Sequence, residues 1–331
     1  MRIQHTLAAA GLLCAALSAQ YTAHPLDNLN SGVSQNIPIA GNSASWDEAR
    51  SQFLFRAQYL PPIPALLNGI EWVPNTNGTT TYERFEIWVD HTQNSTLSTT
   101  FAANLSANPT LVFSASPGSI TWTGAQWTPI VFTTPFVYDG QSNLVVEIRK
   151  QINRIVSPPP SISHRVLTYP RRNDLGPPIW AWGAYGSGAV DATTAQTTYN
   201  TELLTRLDWL GAATLNVDST RDTTGNSNRS YFHIGATATF TTQSAPNEFY
   251  VQGYDFALQP VPLPIPGFSG GLWLLNPVAL AGFLDGSGFA SQSVALPSDP
   301  GLIGITLYAQ SVILGTTLTF SNIVDGPIAA Y

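Results

Sequence analysis

Gly267–Gly271 reads GFSGG and matches the G-x-S-x-G pattern of a hydrolase nucleophile elbow. Such an elbow requires a buried strand before the serine, a helix after it, and the acid and histidine later in the chain. Here alternating prolines precede Ser269, and the last histidine in the chain is His233. We therefore interpret the pattern as a glycine turn and not as a nucleophile.

The turn Tyr138–Asn143 is rich in oxygen ligands for a hard cation. Asp139 and Asn143, with Ser142 and backbone carbonyls, offer the oxygens that Ca²⁺ accepts, although one carboxylate supplies little charge. The alternative is a hairpin turn in which Asp139 and Asn143 bond to nearby backbone and Gly140 takes a positive φ. We favour the turn and keep Asp139 and Asn143 as the candidate metal ligands; no other cofactor is expected.

Ile179–Gly186 contains three aromatic residues among glycine and alanine. If this segment is extended, Trp180 and Trp182 share one face, and their indoles, with Tyr185, offer a stacking surface to the C–H faces of sugars. The flanking glycines and prolines predict a loop, where binding groups tend to lie. The alternative is that these rings fill the core beneath a long loop. Trp180, Trp182 and Tyr185 are the candidate carbohydrate-binding residues.

Histidines and acids show no catalytic spacing in the sequence. No histidine beyond residue 19 lies two or four positions from another, as ligands of one metal often do. A carboxylate pair for glycoside hydrolysis depends on the fold. Glu83 and Glu86 would lie on opposite faces of a regular strand, and Glu147 would point outward. Lys150, the only lysine, is the single candidate for Schiff-base chemistry.

Composition excludes several classes of protein. The 331 residues include 26 glycines and 25 prolines, only 10% are charged, and the formal net charge is −7. No cationic field is present to bind phosphates or anionic lipid heads, so nucleic acid is not an expected partner. Glycine and proline at this density favour many short strands joined by turns. We therefore expect an all-β protein.

The N-terminus predicts export. Arg2 precedes an apolar run from Leu7 to Leu17, followed by the small residues Ser18 and Ala19, as in a secretory signal peptide. The run is far shorter than the ~20 residues that span a bilayer. Removal of residues 1–19 would also remove the only cysteine, which excludes disulfides and thiolate chemistry from the mature chain. We expect a secreted or cell-surface protein without a transmembrane segment.

Charge and proline spacing predict a domain boundary near residue 245. Residues 20–245 contain fifteen acids and twelve basic residues, whereas residues 246–331 contain five acids and no arginine or lysine. Gln259–Gly267 then alternates proline with apolar residues, which favours an extended passage. We expect a jelly-roll-like β-sandwich over 20–245 and a smaller Ig-like sandwich over 246–331. The alternative is one continuous sandwich with these prolines at its edge.

Short apolar runs predict antiparallel sheets. Phe85–Val89 and Leu144–Ile148 alternate with period two, as half-buried strands do. Many such runs without helical patterns between them favour a sandwich or jelly roll. The one helical signal is the capping-box pattern Ser45–Glu48, which predicts a single turn. After residue 245 the predicted strands are Phe249–Leu258, Leu272–Leu275, Ser291–Leu296, Leu302–Tyr308 and Thr316–Ile323.

Two regions of the sequence resemble a class of secreted bacterial β-sandwich proteins that is common in planctomycetes. The matching segments are Phe85–Thr92, Leu97–Phe101, Asn104, Gly124–Trp127, Phe132–Gly140 and Asn143–Leu144, then Leu296–Leu302, Leu307–Gln310 and Leu318–Asn322. The resemblance implies export and a sandwich followed by a small C-terminal β-domain. Many of those C-terminal domains carry cysteines that this chain lacks, so no shared disulfide is implied. The class has no established activity, and the resemblance assigns no catalytic residue.

Three functional hypotheses follow. The first is a non-catalytic secreted or cell-surface β protein with a structural, adhesive or matrix role, whose partner is a cell-surface or matrix component. The second is a carbohydrate-binding β-sandwich that holds a polysaccharide on Trp180, Trp182 and Tyr185. The third is an extracellular glycan-active hydrolase. Because the part beyond Pro246 carries few charges, it has weak electrostatic protection against association, and we expect it to pack on a partner, the cell surface or the preceding domain.

Overall fold

The computed structural model confirms the predicted all-β fold. It describes residues 20–24, 33–35, 39, 47–74, 76–153, 166–168, 180–185, 187–199, 204–218, 232–316 and 318–330. Helical structure in these residues is limited to 3₁₀ turns of three or four residues: Ala57–Tyr59, Phe101–Asn104, Ala189–Asp191 and Pro300–Leu302. The described residues therefore contain no helix that could span a lipid bilayer. The predicted signal peptide, residues 1–19, lies outside the described residues.

The first thirteen strands form the N-terminal sheets. They are β1 (Gln20–His24), β2 (Val33–Gln35), β3 (Glu48–Phe55), β4 (Ala65–Trp72), β5 (Gly78–Thr92), β6 (Thr110–Ser114), β7 (Gly118–Trp122), β8 (Thr128–Tyr138), β9 (Asn143–Ile152), β10 (Val166–Thr168), β11 (Trp180–Tyr185), β12 (Ala195–Tyr199) and β13 (Thr205–Leu210). Pairing gives a four-stranded sheet, β1-β13-β4-β8, and a larger sheet, β12-β11-β3-β9-β5-β6, in which β7 also pairs with β5. A separate pair joins β10 to β2.

These two larger sheets pack face to face as the first sandwich. Their shared core contains Trp72 and Trp209 from the four-stranded sheet, and Phe85, Ile87 and Val146 from the other. Phe85, Ile87 and Val89 are buried along β5, as the period-two pattern predicts, because alternate side chains of a strand face the same layer. Burial of aromatic rings of this size is the main force that holds the layers together.

The remaining strands form the second sandwich. They are β14 (Thr214–Asp218), β15 (Phe232–His233), β16 (Thr237–Gln243), β17 (Phe249–Asp255), β18 (Leu258–Leu263), β19 (Leu272–Leu274), β20 (Val278–Phe283), β21 (Phe289–Ala295), β22 (Thr306–Leu314) and β23 (Leu318–Ala329). The sheet β14-β16-β21 packs on the sheet β15-β23-β22-β17-β20, and the core between them includes Phe240, Leu307 and Ala309. Because β14 and β16 precede residue 245 and belong to this sandwich, the predicted boundary falls between two of its strands.

Hydrogen bonds connect the two sandwiches near Tyr21. The Tyr21 N–H donates to Oε1 of Gln243 at 3.0 Å, and Nδ2 of Asn216 donates to the Tyr21 carbonyl at 2.8 Å. Gly211, with φ 80°, lies in the three-residue connection between β13 and β14, where the chain passes from one sandwich to the other. Such a φ is readily adopted only by glycine. Strands β14 and β16 of the second sandwich are therefore hydrogen-bonded directly to β1 of the first.

The structure contradicts one local prediction and adds detail to another. The capping-box pattern Ser45–Glu48 does not open a helical turn, because Glu48 is already the first residue of β3 and pairs with Gln151 of β9. The proline passage forms β18, which pairs with β19 only at Leu258 and Leu263. Since proline has no backbone N–H to donate, the alternating prolines limit pairing in this strand to its two ends.

Candidate functional site

The aromatic segment predicted as a loop is strand β11, so the loop prediction is wrong. On one side, the backbones of Trp180 and Trp182 pair with Phe53 and Ser51 of β3. On the other side, the same two residues pair with β12. Two neighbouring strands thus give the segment the extended backbone that the stacking hypothesis requires. The side chains of Trp180, Trp182 and Tyr185 lie outside the described part of the structure, and sugar binding there stays a prediction.

Asp139 organises the turn between β8 and β9. Its Oδ1 accepts the N–H groups of Gln141 and Ser142 at 2.9 and 2.8 Å, and its Oδ2 accepts the Ser142 hydroxyl at 2.6 Å. Gly140 has φ 77°, as the turn interpretation requires. Burial raises the pKa of Asp139, but these hydrogen bonds, together with nearby His91, outweigh it and leave the pKa below its usual value.

Asn143 connects the same turn to two other loops. Its Oδ1 accepts the Ala57 N–H at 2.8 Å, and its Nδ2 donates to the Asn94 carbonyl at 2.9 Å. The side-chain oxygen of Asn143 is therefore engaged with Ala57. In the described ranges no group of three or more His, Cys, Asp or Glu residues could hold a metal ion. Calcium binding by Asp139 and Asn143 stays a prediction.

The GFSGG segment is a turn, as expected. Gly267 and Gly270 have φ values of 86° and 84°. The Ser269 N–H donates to the Leu318 carbonyl, and its own carbonyl accepts the Phe320 N–H at 3.0 Å. The backbone on both sides of the serine is thus hydrogen-bonded to β23, and β19 follows instead of the helix that an elbow requires.

Glu147, which was expected to point outward, is buried with no exposed surface. Its Oε2 accepts hydrogen bonds from Arg50 at 2.8 Å and Gln52 at 2.7 Å, and its Oε1 accepts one from Arg149 at 2.7 Å. The outer face of β9 is covered because the chain near Phe101 lies on it, with the Arg50 guanidinium 4.6 Å from the centre of the Phe101 ring. The carboxylate is enclosed in a structural network and does not face a cleft.

Lys150 is also fully buried, between β3 and β5. Burial lowers its pKa to about 7, and the nearby Asp47 carboxylate opposes this shift only in part. An amine with such a pKa is chemically reactive. However, the side chain has no exposed surface through which a carbonyl substrate could approach it. We therefore treat Lys150 as a structural residue.

The edge strand β20 is the candidate interaction site. Its sequence, VALAGF, contains no charged residue and no proline. It lies at the end of the five-stranded sheet and, within the described residues, pairs only with β17. Val278 is 73% exposed, Leu280 42% and Phe283 71%. Apolar side chains are therefore exposed along a strand whose outer backbone groups are available for pairing.

Strand β8 is also an edge strand, but unlike β20 it contains prolines. It ends the four-stranded sheet and also exposes apolar residues, since Val131 is 61% and Val137 is 66% exposed. However, it contains Pro129 and Pro135, which lack the N–H group that a further strand would need. Prolines and charges are common protection for sheet edges, and β20 has neither.

Strand β20 was not among the strands predicted from the sequence. None was predicted between Leu275 and Ser291, although Val278–Phe283 is an apolar run bounded by Asn276-Pro277 and Asp285-Gly286. Such a run between turn signals predicts a fully buried strand. The signal for a strand was present, but the exposure of its side chains depends on its position at the end of the sheet.

The chain has only a weak similarity to known proteins among those compared. No family model matches the chain, and no curated protein matches it. One solved structure that it resembles is a tetra-tandem repeat in the extending region of a large adhesion protein. That similarity covers 95% of this chain and 75% of the other, with 9% sequence identity and a TM-score of 0.20. A TM-score this low carries no argument about fold or function.

Proposed function

We propose that this protein is a non-catalytic, secreted or cell-surface β protein with a structural or adhesive role, and that it assembles by pairing β20 with β20 of a second copy. The observation that supports this proposal is the uncharged, apolar and exposed edge formed by Val278–Phe283. Soluble proteins normally protect such an edge, because it pairs readily with another strand. An unprotected edge of this kind is therefore able to pair with a strand of another molecule.

A second copy fits this edge by symmetry and by charge. Two copies of one strand can pair antiparallel about a two-fold axis, so that the same surface is used on both sides. Like charges on directly opposed residues would oppose such pairing. Strand β20 has no charged side chain, and no arginine or lysine occurs after Arg229. Exposed residues such as Leu280 and Phe283 would then be covered in the assembly.

Sedimentation equilibrium of the full-length chain tests this proposal. The wild type should form a concentration-dependent dimer. Leu280→Lys places a charge at the centre of the edge and should leave the protein monomeric. Val131→Lys makes the same change at an exposed position of β8 and should sediment as the wild type does. A wild type that is monomeric at all concentrations, or equal effects of both variants, would contradict the proposal.

Carbohydrate binding through β11 is a second candidate function. It is favoured by the extended backbone from Trp180 to Trp182, since alternate residues of a strand share a face. Retention of the wild type and Trp182→Ala on insoluble polysaccharides tests it. A stacking platform should lose most of its retention in the variant. A wild type that is retained on none of the polysaccharides excludes this candidate.

A further inference from the structure

A groove of about 1000 Å³ separates the two sandwiches on one side of the molecule. One wall comes from the loop after β3, with Arg56 and Gln58, and from Gln141 in the β8–β9 turn. The other wall comes from the β18–β19 hairpin, with Pro262 and Trp273. Grooves between sheets or domains that combine apolar surface with a few polar groups are common ligand sites.

Three polar side chains of the groove have no partner among the described residues, whereas that of Asn143 is hydrogen-bonded to Ala57 and Asn94. In the described part of the chain, the side chains of Arg56, Gln58 and Gln141 make no hydrogen bond or ion pair with another residue. Among the described residues that line the groove, Arg56 is the only charged one. By contrast, the other arginines that the structure describes are engaged with acids, as in Arg50–Glu147 and Arg84–Glu86. No described acid is paired with the guanidinium of Arg56, which can therefore bind an anion from solution.

The chain approaches itself closely at two glycines in the walls of the groove. A Cβ added to Gly140 would lie 2.5 Å from backbone of Ile63, and one added to Gly270 would lie 2.8 Å from the Pro62 side chain. These glycines allow the β8–β9 turn and the hairpin loop to approach the chain between β3 and β4. A side chain at either position would push the walls apart.

Gln310 fixes the hairpin that carries the aromatic wall. Its Oε1 accepts the backbone N–H of Trp273 at 3.0 Å, and its Nε2 donates to the carbonyls of Gly271 and Ser321 at 3.0 and 3.1 Å. Gln310 is buried, so these bonds are protected from water. The backbone that carries Trp273 is therefore held in place before any ligand binds, which lowers the entropy lost on binding.

We infer that this groove binds an acidic saccharide, a chain of sugars that carry carboxylates. The Arg56 guanidinium matches a carboxylate in a two-pronged hydrogen-bonded pair. The amides of Gln58 and Gln141 both donate to and accept from hydroxyl groups. The Trp273 indole offers an apolar face to the C–H face of a sugar ring. This inference does not depend on the pairing of β20, which uses other residues.

Isothermal titration calorimetry tests the inference with a hexamer of galacturonic acid and a neutral hexamer of galactose. The wild type should bind the acidic hexamer more tightly. Arg56→Gln should weaken that binding about tenfold, the value of one charge-assisted hydrogen-bonded pair, and should bring it to the level of the neutral hexamer. Arg84→Gln, which changes an arginine outside the groove, should bind as the wild type does. Trp273→Ala should weaken binding of both hexamers.

Several results would overturn the inference. The wild type could fail to bind the acidic hexamer, or bind the two hexamers with equal affinity. Arg56→Gln and Arg84→Gln could also lose equal affinity for the acidic hexamer. Preference for a proline-rich peptide over both sugars would also overturn it. Arg56 is half-buried but belongs to none of the hydrophobic cores, so its substitution leaves the cores intact and keeps the test valid if Trp273→Ala fails to fold. Leu280→Lys should retain full affinity, which separates failure of the groove from failure of β20 pairing.

Discussion

Arg50 and Arg149 lie directly opposite each other in the antiparallel pair of β3 and β9, and the carboxylate of Glu147 binds both. Like charges on directly opposed residues destabilise a sheet. Glu147, which is opposite Gln52, accepts a hydrogen bond from Arg50 on one oxygen and from Arg149 on the other. A single buried carboxylate thus compensates two cations at the centre of the largest sheet.

Loss of the Glu147 charge should therefore destabilise the fold. Glu147→Gln leaves two poorly compensated guanidinium groups, one of them nearly buried, and should lower the free energy of unfolding by about 3 kcal/mol. Glu86→Gln removes a more exposed partner of Arg84 and should lower it by no more than about 1 kcal/mol. Urea denaturation of both variants measures the difference. Equal losses in the free energy of unfolding would show that the buried ion pairs of Glu147 contribute no more to stability than the more exposed pair of Glu86.

Removal of the buried ammonium should stabilise the protein in a pH-dependent way. The pKa of Lys150 falls to about 7 in the fold, below its ordinary value of 10.5, so the unfolded chain holds more protons between these values. Stability of the wild type should then rise with pH across this interval. Lys150→Met should gain about 5 kcal/mol below pH 7 and nothing near pH 10.5. A gain that does not change with pH would show that burial of the ammonium charge is not its cause.

Asp208 should show the opposite dependence. Burial, and then the nearby Glu71 carboxylate, raise its pKa to about 7, although Arg206 opposes the shift. The folded chain therefore holds more protons between pH 3.8 and 7, and the cost of the buried charge is complete above pH 7. Asp208→Asn should gain about 4 kcal/mol at pH 8 and nothing at pH 3.5. Thermal unfolding at both values checks this, and a gain at pH 3.5 would argue against it.

Two glycines of the hairpin loop allow a matched test of the groove wall. Gly267 and Gly270 have similar positive φ values, so alanine adds the same backbone strain at both. Around Gly267 nothing lies within 4 Å of an added Cβ, whereas at Gly270 the Cβ meets Pro62. Gly270→Ala should lose about 1 kcal/mol more stability than Gly267→Ala. Equal losses in chemical denaturation would show that Pro62 does not constrain the loop.

The fold class could be predicted from the sequence, whereas the sites could not. Alternation along Phe85–Val89 identified β5 because one of its faces packs on the core. The same reasoning failed at Glu147, since whether a sheet face is covered depends on distant chain such as Phe101. The groove escaped prediction for a related reason. Arg56, Gln141 and Trp273 come from separate parts of the chain, and only the packing of the two sandwiches brings them together.

A single-cysteine scan through β20 tests the proposed assembly most directly. In a Cys14→Ala background the chain has no other cysteine, so each of Val278 to Phe283 can be replaced in turn. Directly opposed residues of an antiparallel pair have Cα atoms within disulfide distance, whereas residues displaced along the strands do not. If the two-fold axis passes through one residue pair, we expect cross-linked dimers of the single variant at that position. If the axis lies between two residues, we expect cross-linked dimers only when the two adjacent single variants are mixed. Equal cross-linking at every position, or no cross-linking in any single variant and in any mixture of adjacent variants, would contradict pairing of β20 with itself.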